Sequence, residues 1–315
     1  MDESDPDIRF RGGVCNHCFR YKNDVKFRTY SGIEADEKLT SLITKIGSNK
    51  GKFNCLIGVS GGVDSTYVAY LVKKIYGLRP LAVHVDNGWN SNLANVNIEN
   101  TLKILDIPLI THVLKWKEFK NLQIAFLKSA TPDGEIPSDH AINAVMYKTA
   151  KKYGIKYIIN GMNFKTESMH VDKWAYGHSD WKYIKEINKR FGKIKINNYP
   201  HFSLFDLFRY IVFDRIKVVS ILNYIDFDKN KAIELLQSEL KWTNYSGKHY
   251  ESVYTRFFQG YWLVKKFNID KRKGHLSDLI RSNQIERNEA IKILEKSPLT
   301  ETQQAEDVDY VVKKL

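Results

Sequence analysis

Six residues, Ser60-Gly61-Gly62-Val63-Asp64-Ser65, constrain this chain more than any other stretch. They follow a short apolar run, Cys55-Leu56-Ile57-Gly58-Val59, that reads as a buried strand. They open a segment whose apolar residues Val68, Leu71, Val72 and Ile75 recur at helical spacing. A strand, a Gly/Ser turn and a helix start, in that order, make an anion site. The glycines let the backbone approach a ligand, and the first helical N–H groups have no partner of their own. The helix dipole adds positive potential, so pyrophosphate oxygens suit the turn. Ser60 and Ser65 supply hydroxyl donors, and Asp64 suits a Mg²⁺ ion or a loop amide.

The turn is neither of the two commonest nucleotide loops. A P-loop ends in Gly-Lys-[Ser/Thr] and a dinucleotide fingerprint needs G-x-G-x-x-G. It resembles instead the S-G-G-x-D-S loop of the ATP pyrophosphatases, enzymes that cut ATP between its α and β phosphates and attach AMP to a substrate oxygen. Ser60 through Ser65 are then the nucleotide-binding residues, with Ser60, Asp64 and Ser65 the catalytic candidates. An ordinary Gly-rich turn is the competing reading, and the full six-residue match in strand–turn–helix context weighs against it.

From residue 53 the pattern alternates strand and helix, which predicts a doubly wound parallel sheet with helices on both faces. Strands are expected over 54–59, 80–85, 108–114 and 156–160, and helices over 65–76, 91–105, 118–129 and 138–153. In such sheets ligands bind at the carboxyl ends of the strands. Those ends carry the Ser60 loop, Val85-Asp86-Asn87-Gly88-Trp89 and Asn160-Gly161-Met162-Asn163. Val85, Asp86 and Gly161 therefore join the nucleotide candidates, although Asp-Asn-Gly is also a common turn sequence. Ser138 reads as a helix N-cap, with Asp139 and His140 in the first turn expected toward the crevice and a surface histidine as the equal alternative for His140. Lys165 and Glu167 follow the fourth strand and offer a cation for phosphate and a carboxylate for Mg²⁺.

The organisation expected is a polar N-terminal segment over 1–52, an α/β core over 53–168 and a mainly helical region over 169–315. The N-terminal segment holds Cys15-Asn16-His17-Cys18, half of a zinc site by spacing. The third cysteine, Cys55, sits in the first strand and is expected in the core. Two free thiols in a loop are the competing reading of Cys15 and Cys18. Three cysteines make no disulfide framework, which predicts a reducing cytoplasm, and the acidic start is unlike a signal peptide. No run approaches the roughly 18 apolar residues of a membrane span. A net charge of +13 suits anionic partners in general. The lysines are scattered and no RNA-recognition signature is present, so nucleic acid is not the expected partner.

Several long motifs make a more specific match. They are Met-Asp-x-Ser-Asp-Pro-Asp-Ile-x-Phe with Gly-Val-Cys-Asn-His-Cys, the S-G-G-V-D-S loop, and Asn163-Phe164-Lys165-Thr166-Glu167-Ser168. Gly247-Lys248-His249-Tyr250-Glu251-Ser252, Thr255-Arg256-Phe257-Phe258-Gln259-Gly260-Tyr261 and Asp270-Lys271-Arg272-Lys273 complete the set. From end to end the chain resembles the N-acetyl sugar amidotransferases of lipopolysaccharide O-antigen and related surface-glycan biosynthesis, the WbpG type. That resemblance implies conversion of an acetamido group on a nucleotide-linked sugar into an acetamidino group. ATP adenylates the amide oxygen, pyrophosphate leaves, and ammonia displaces AMP. It implies ATP and Mg²⁺ as cofactors, with Asp64 and Glu167 toward the metal, and zinc at Cys15 and Cys18. Substrate contacts fall to Asp139, His140, Lys248, His249, Glu251, Arg256 and Arg272.

The family usually carries a second C-x-x-C just upstream of the Met-Asp-x-Ser-Asp-Pro stretch, and Met1 falls where that pair would just have ended: either the start is trimmed or misassigned, or this member lacks half of its zinc site. A glutaminase needs an activated cysteine, and none is evident. The resemblance implies ammonia from a separate partner that is similar to the glutaminase of histidine biosynthesis. The main alternative is a tRNA-modifying ATP pyrophosphatase of the thiolation or lysidine type, for which the charge of +13 is suited but an exposed catalytic cysteine is lacking. A non-catalytic nucleotide-binding subunit is a second alternative, which the intact loop opposes.

Overall fold

A computed structural model describes residues 1–245, 247 and 250–315. The N-terminal segment is more ordered than its polar composition predicts. A two-stranded hairpin, β1 (Phe10–Arg11) and β2 (Val14–Cys15), leads into helices α1 (Asn16–Arg28) and α2 (Gly32–Gly47). The α/β core follows as β3 (Cys55–Gly58), α3 (Val63–Tyr70), β4 (Pro80–Asp86), α4 (Asn92–Leu105), β5 (Leu109–Val113), α5 (Trp116–Ser129), α6 (Ile136–Lys152) and β6 (Tyr157–Asn160). After α3 the backbone widens into a π-helical turn over Leu71–Ile75. All four expected strands and their helices form within two residues of their predicted ends. Helix α6 starts earlier than expected: Glu135, not Ser138, is its N-cap, and Pro137 lies in its first turn, where a missing N–H costs nothing.

Beyond residue 168 the pattern is hidden by aromatic density. There the chain forms α8 (Trp181–Phe191), after the single turn α7 (Phe164–Glu167), and then α9 (Leu204–Val212), the strand β7 (Lys217–Ser220) and α10 (Lys229–Leu240). The C-terminal helices are α11 (Val253–Phe257), α12 (Leu263–Phe267), α13 (Arg272–Arg281), α14 (Arg287–Glu295) and α15 (Glu301–Lys314). The sheet therefore continues past 168, drawing its fifth strand and a covering helix from the segment expected to be mainly helical.

The five strands run parallel in the order β5-β4-β3-β6-β7. Side chains alternate across it. Leu56, Val83 and Ile158 enter one core with Phe119, Phe126 and Val145 of α5 and α6. Cys55, Ile57, Ala82 and Ile159 enter the other with Val68, Leu102 and Leu236 of α3, α4 and α10. Burial on both faces explains why β4 reads as a continuous apolar run. From β3 the connections proceed outward through β4 and β5, then return to β6 and β7. The reversal lies between β3 and β6, and a parallel sheet opens its ligand crevice at the carboxyl ends of such a pair.

Candidate active site

The Ser60 loop follows β3 at that reversal. Gly61 has φ +83°, and a Cβ there would stand 2.6 Å from the carbonyl oxygen of Ala94, so only glycine fits. The Gly61 carbonyl is held by two donors that also line the cavity described below, the Trp242 indole N–H at 2.8 Å and the Tyr245 hydroxyl at 3.1 Å. Inside the turn, Ser65 Oγ donates to the Gly62 carbonyl at 3.0 Å and lies 3.2 Å from Ser60 Oγ. Thr66 Oγ1 donates to the same carbonyl at 2.9 Å. Gly62 caps α3, so the first N–H groups of that helix, of Val63, Asp64 and Ser65, lie at the loop with the dipole behind them.

Two cavities meet at this loop. The smaller, about 220 Å³, is lined by Ser60, Gly62, Val63, Asp64, Ser65, Gly161, Glu167 and Glu251, with Lys229 as its cation. Gly161 is pressed against Asp64, where a Cβ would stand 2.9 Å from the Asp64 backbone carbon. The larger, about 460 Å³, shares Ser60, Ser65 and Glu251 with the first. It runs along Gly58, Val59 and Val83 to Val85, past His84, and ends at Asp133, Glu135, Asp139, Gln259 and Lys271. His84 is held at both ring nitrogens, Nδ1–H donating to the Val59 carbonyl at 2.9 Å and Nε2 accepting from Asn90 at 2.7 Å.

The far end of the larger cavity is acidic. Glu135 accepts from Gln259 Nε2 at 2.6 Å and lies 3.7 Å from Lys271 Nζ; Asp133 accepts from the backbone N–H of Tyr176 at 3.0 Å. Asp139 opens onto the cavity, yet its setting among protein atoms, then the charges of Glu135 and Asp133, push its carboxyl up to about 7 against the pull of Lys271. Neither Asp133 nor Glu135 was singled out by sequence reasoning; carboxylates on a loop read as solvent-facing until the fold brings them to one cavity.

Ser60 to Ser65 apart from Gly61, together with Val85, Gly161, Glu167, Glu251 and Asp139, line the two cavities. Other candidates are held elsewhere. Asp86 Oδ1 accepts from the Gly88 N–H at 2.8 Å, closing its own turn. Lys165 Nζ pairs with Asp226 at 2.8 Å. His140, expected to face the crevice, is fully buried and stacked on Phe202 at 4.5 Å; its Nδ1–H donates to the His178 carbonyl at 2.6 Å. Burial pulls that imidazole down to about 4. Arg256 makes a two-pronged pair with the buried Asp307, and Arg272 pairs with Asp270 at 2.7 Å. In each case the fold supplies a closer partner than any ligand. Lys248 and His249 lie outside the described residues.

The zinc expectation finds half a site. Cys15 Sγ and Cys18 Sγ lie 3.5 Å apart, while His17 between them turns to Asp5 at 2.5 Å. Among the described residues no group of three or more His, Cys, Asp and Glu gathers as a metal site, so those present do not fit a four-ligand zinc. Asp64 and Glu167 suit Mg²⁺ better, because that ion is commonly held by one or two carboxylates together with substrate phosphates.

A parallel sheet with the 3-2-1-4-5 type of order and an S-G-G-V-D-S turn at its reversal defines the architecture of the PP-loop ATP pyrophosphatases. Residues 251–315 match the family described as LPS biosynthesis protein WbpG-like, C-terminal domain. Curated relatives match parts of the chain. Protein MJ1599 of Methanocaldococcus jannaschii is 26% identical over 48% of this chain and 49% of its own length. GMP synthase [glutamine-hydrolyzing] of Dictyostelium discoideum is 37% identical over 26% of this chain and 11% of its own length. The tRNA-specific 2-thiouridylase MnmA 2 of Fusobacterium nucleatum is 31% identical over 37% and 35%. The chain thus spans half or less of these curated relatives.

Among solved structures, the NH3-dependent NAD synthetase of Campylobacter jejuni overlaps 66% of this chain and 93% of its own, at 15% identity and a TM-score of 0.34. The NMN synthetase of Francisella tularensis overlaps 69% and 99%, at 16% and 0.34. Those TM-scores are too low to add to the strand order. Among the described residues no helix is long and apolar enough to cross a membrane.

Proposed function

We propose that this chain is an ATP-dependent N-acetyl sugar amidotransferase. It turns the acetamido group of a nucleotide-linked sugar into an acetamidino group for a lipopolysaccharide O-antigen or related glycan, in the cytoplasm. The observation that carries the reading is the junction of the two cavities at Ser60, Ser65 and Glu251. One cavity is floored by the anion-binding turn, and the other has room and polar groups for an acceptor. The division into an N-terminal segment, a nucleotide core and a helical region for substrate and partner fits this work-sharing.

The amide oxygen attacks the α-phosphorus of ATP, and the bond to the bridging oxygen breaks, so pyrophosphate leaves. An amide oxygen is a poor leaving group until it is esterified in this way. Ammonia then adds to the activated carbon, the carbon–oxygen bond breaks, and AMP leaves with the electron pair. The first N–H groups of α3 and the Ser60 and Ser65 hydroxyls hold the phosphate oxygens and oppose the charge that builds on them. Lys229 lines the same cavity and suits the role first given to Lys165. Mg²⁺ held by Asp64 and Glu167 would neutralise phosphate charge as ATP binds. Val59, Val83 and Val85 offer an apolar wall for the adenine, and Asp139 opens toward the acceptor end.

No described cysteine suits a glutaminase. Cys55 is fully buried and its thiol is pushed up to about 12 by burial, while Cys15 and Cys18 line neither cavity. Ammonia from a separate glutaminase is therefore part of the proposal. The test is pyrophosphate release from MgATP with ammonium, comparing N-acetylated nucleotide sugars with bulk tRNA. Stimulation by a sugar, with AMP formed in equal amount, supports the proposal. Stimulation by tRNA alone overturns it in favour of a tRNA-modifying enzyme, a reading that the match to a 2-thiouridylase keeps in view.

A further inference from the structure

Helix α9 presents an apolar stripe to solvent. Leu204, Phe205, Phe208, Ile211 and Val212, with Phe213 and Val218 just beyond, are 48% to 71% exposed. Only Tyr210 of this helix is buried, stacked on Tyr147 of α6 at 5.3 Å. The helix is firmly formed, with a reciprocal Ser203–Asp206 capping box at its start. Full side-chain areas of roughly 150–250 Å² for large residues make the exposed part of the seven about 800 Å². That exceeds the largest apolar patch usual on a monomer, about 300–600 Å². It equals what one partner contributes to a standard interface, about 800 Å².

The spacing names the occupant. The five helical positions are symmetric about Phe208: Leu204 and Val212 lie four residues to either side, and Phe205 and Ile211 three. A helix with such a stripe matches its own copy when the two run antiparallel and cross at the central residue. Phe208 then meets Phe208, and Phe205 meets Ile211 of the other copy. This is the self-complementarity that a twofold interface requires. The rim carries both signs of charge, Asp206 and Asp214 beside Arg209, Arg215 and Lys217, so two copies need not oppose like with like. The site also lies at the sheet's edge, where β7 is the last strand, and an uncovered edge beside an apolar face is otherwise an aggregation hazard.

We propose that two copies of this chain associate through an antiparallel α9–α9 contact centred on Phe208. The experiment is sedimentation of the full chain from 1 to 100 µM beside Phe208→Glu. The wild type sediments at twice its 36.7 kDa mass, and Phe208→Glu weakens association at least 100-fold while its circular dichroism and melting temperature stay unchanged. In a Cys18→Ser background, Phe208→Cys cross-links between chains with a short bis-maleimide, and Phe27→Cys, more exposed but elsewhere, does not. A wild type that is monomeric at 100 µM overturns the proposal. So does a dimer that Phe208→Glu leaves intact, or a monomer whose Phe208→Glu variant loses only binding to lipid vesicles or to a glutaminase.

Discussion

The Trp242 indole N–H donates to the Gly61 carbonyl at 2.8 Å, tying the segment after α10 to the turn after β3 across 181 residues of sequence. With the Tyr245 hydroxyl on the same oxygen, it pins one peptide of the anion loop, so the turn is set before ligand arrives. A hydrogen bond of this kind contributes about 1 kcal/mol net. Trp242→Phe is therefore expected to weaken ATP binding about fivefold in calorimetry, and Trp242→Phe with Tyr245→Phe further. Unchanged affinity in the double variant would mean that the turn keeps its shape without them.

The loop and the sheet around it were legible in the sequence because they depend on local signals: a glycine turn, a buried run, a helix start. What the sequence hid is long-range. Trp242 and Tyr245 read as ordinary aromatics until the fold sets them on Gly61. Strand β7 was masked because Val218 is exposed and only Val219 is buried, so neither alternation nor a long apolar run appears. Arg256 and Arg272 looked like anion ligands because a sequence displays their charge and not Asp307 or Asp270 beside them. His140 shared a helical turn with Asp139, yet adjacent residues on a helix face different ways, one toward the cavity and one into the core.

Gly161 and Asp64 provide a second test of the site. Because a Cβ at 161 would stand 2.9–3.0 Å from Asp64 atoms, Gly161→Ala must push the start of α3 away from β6. Turnover is expected to fall at least 100-fold while the melting temperature drops only slightly. Asp64→Ala should abolish AMP formation with the fold intact. Normal single-turnover adenylation in Asp64→Ala would remove that carboxylate from the chemistry.

Arg256 makes the opposite case. Its pair with Asp307, which is 2% exposed, joins α11 to α15 and leaves no guanidinium for a substrate. Removing one partner of a buried pair typically costs about 3–5 kcal/mol, and Arg256 is partly exposed, so Arg256→Ala should cost about 3 kcal/mol in urea unfolding. The KM for the sugar should hardly change in the folded fraction. A raised KM at normal stability would return Arg256 to the substrate site.

Asp139 links stability to pH with a definite sign. Its carboxyl is pushed up to about 7 in the folded chain from an ordinary 3.8, by the protein atoms crowding it at the cavity wall and by Glu135 and Asp133, although the residue is exposed to the cavity. Between those values the folded chain keeps a proton that the unfolded chain has released, so stability falls as pH rises through the window. Above about 7 both states are ionised and the full penalty remains. Asp139→Asn should therefore melt higher than the wild type at pH 8, with the gap closing toward pH 4. Activity is expected to run the other way if the ionised carboxylate takes a proton from the attacking ammonia: amidine formation at fixed free ammonia should rise through pH 7. Lys271 is the charge that lowers this value, so Lys271→Ala should move the midpoint upward. A midpoint that Lys271→Ala leaves in place would mean that another group sets the profile.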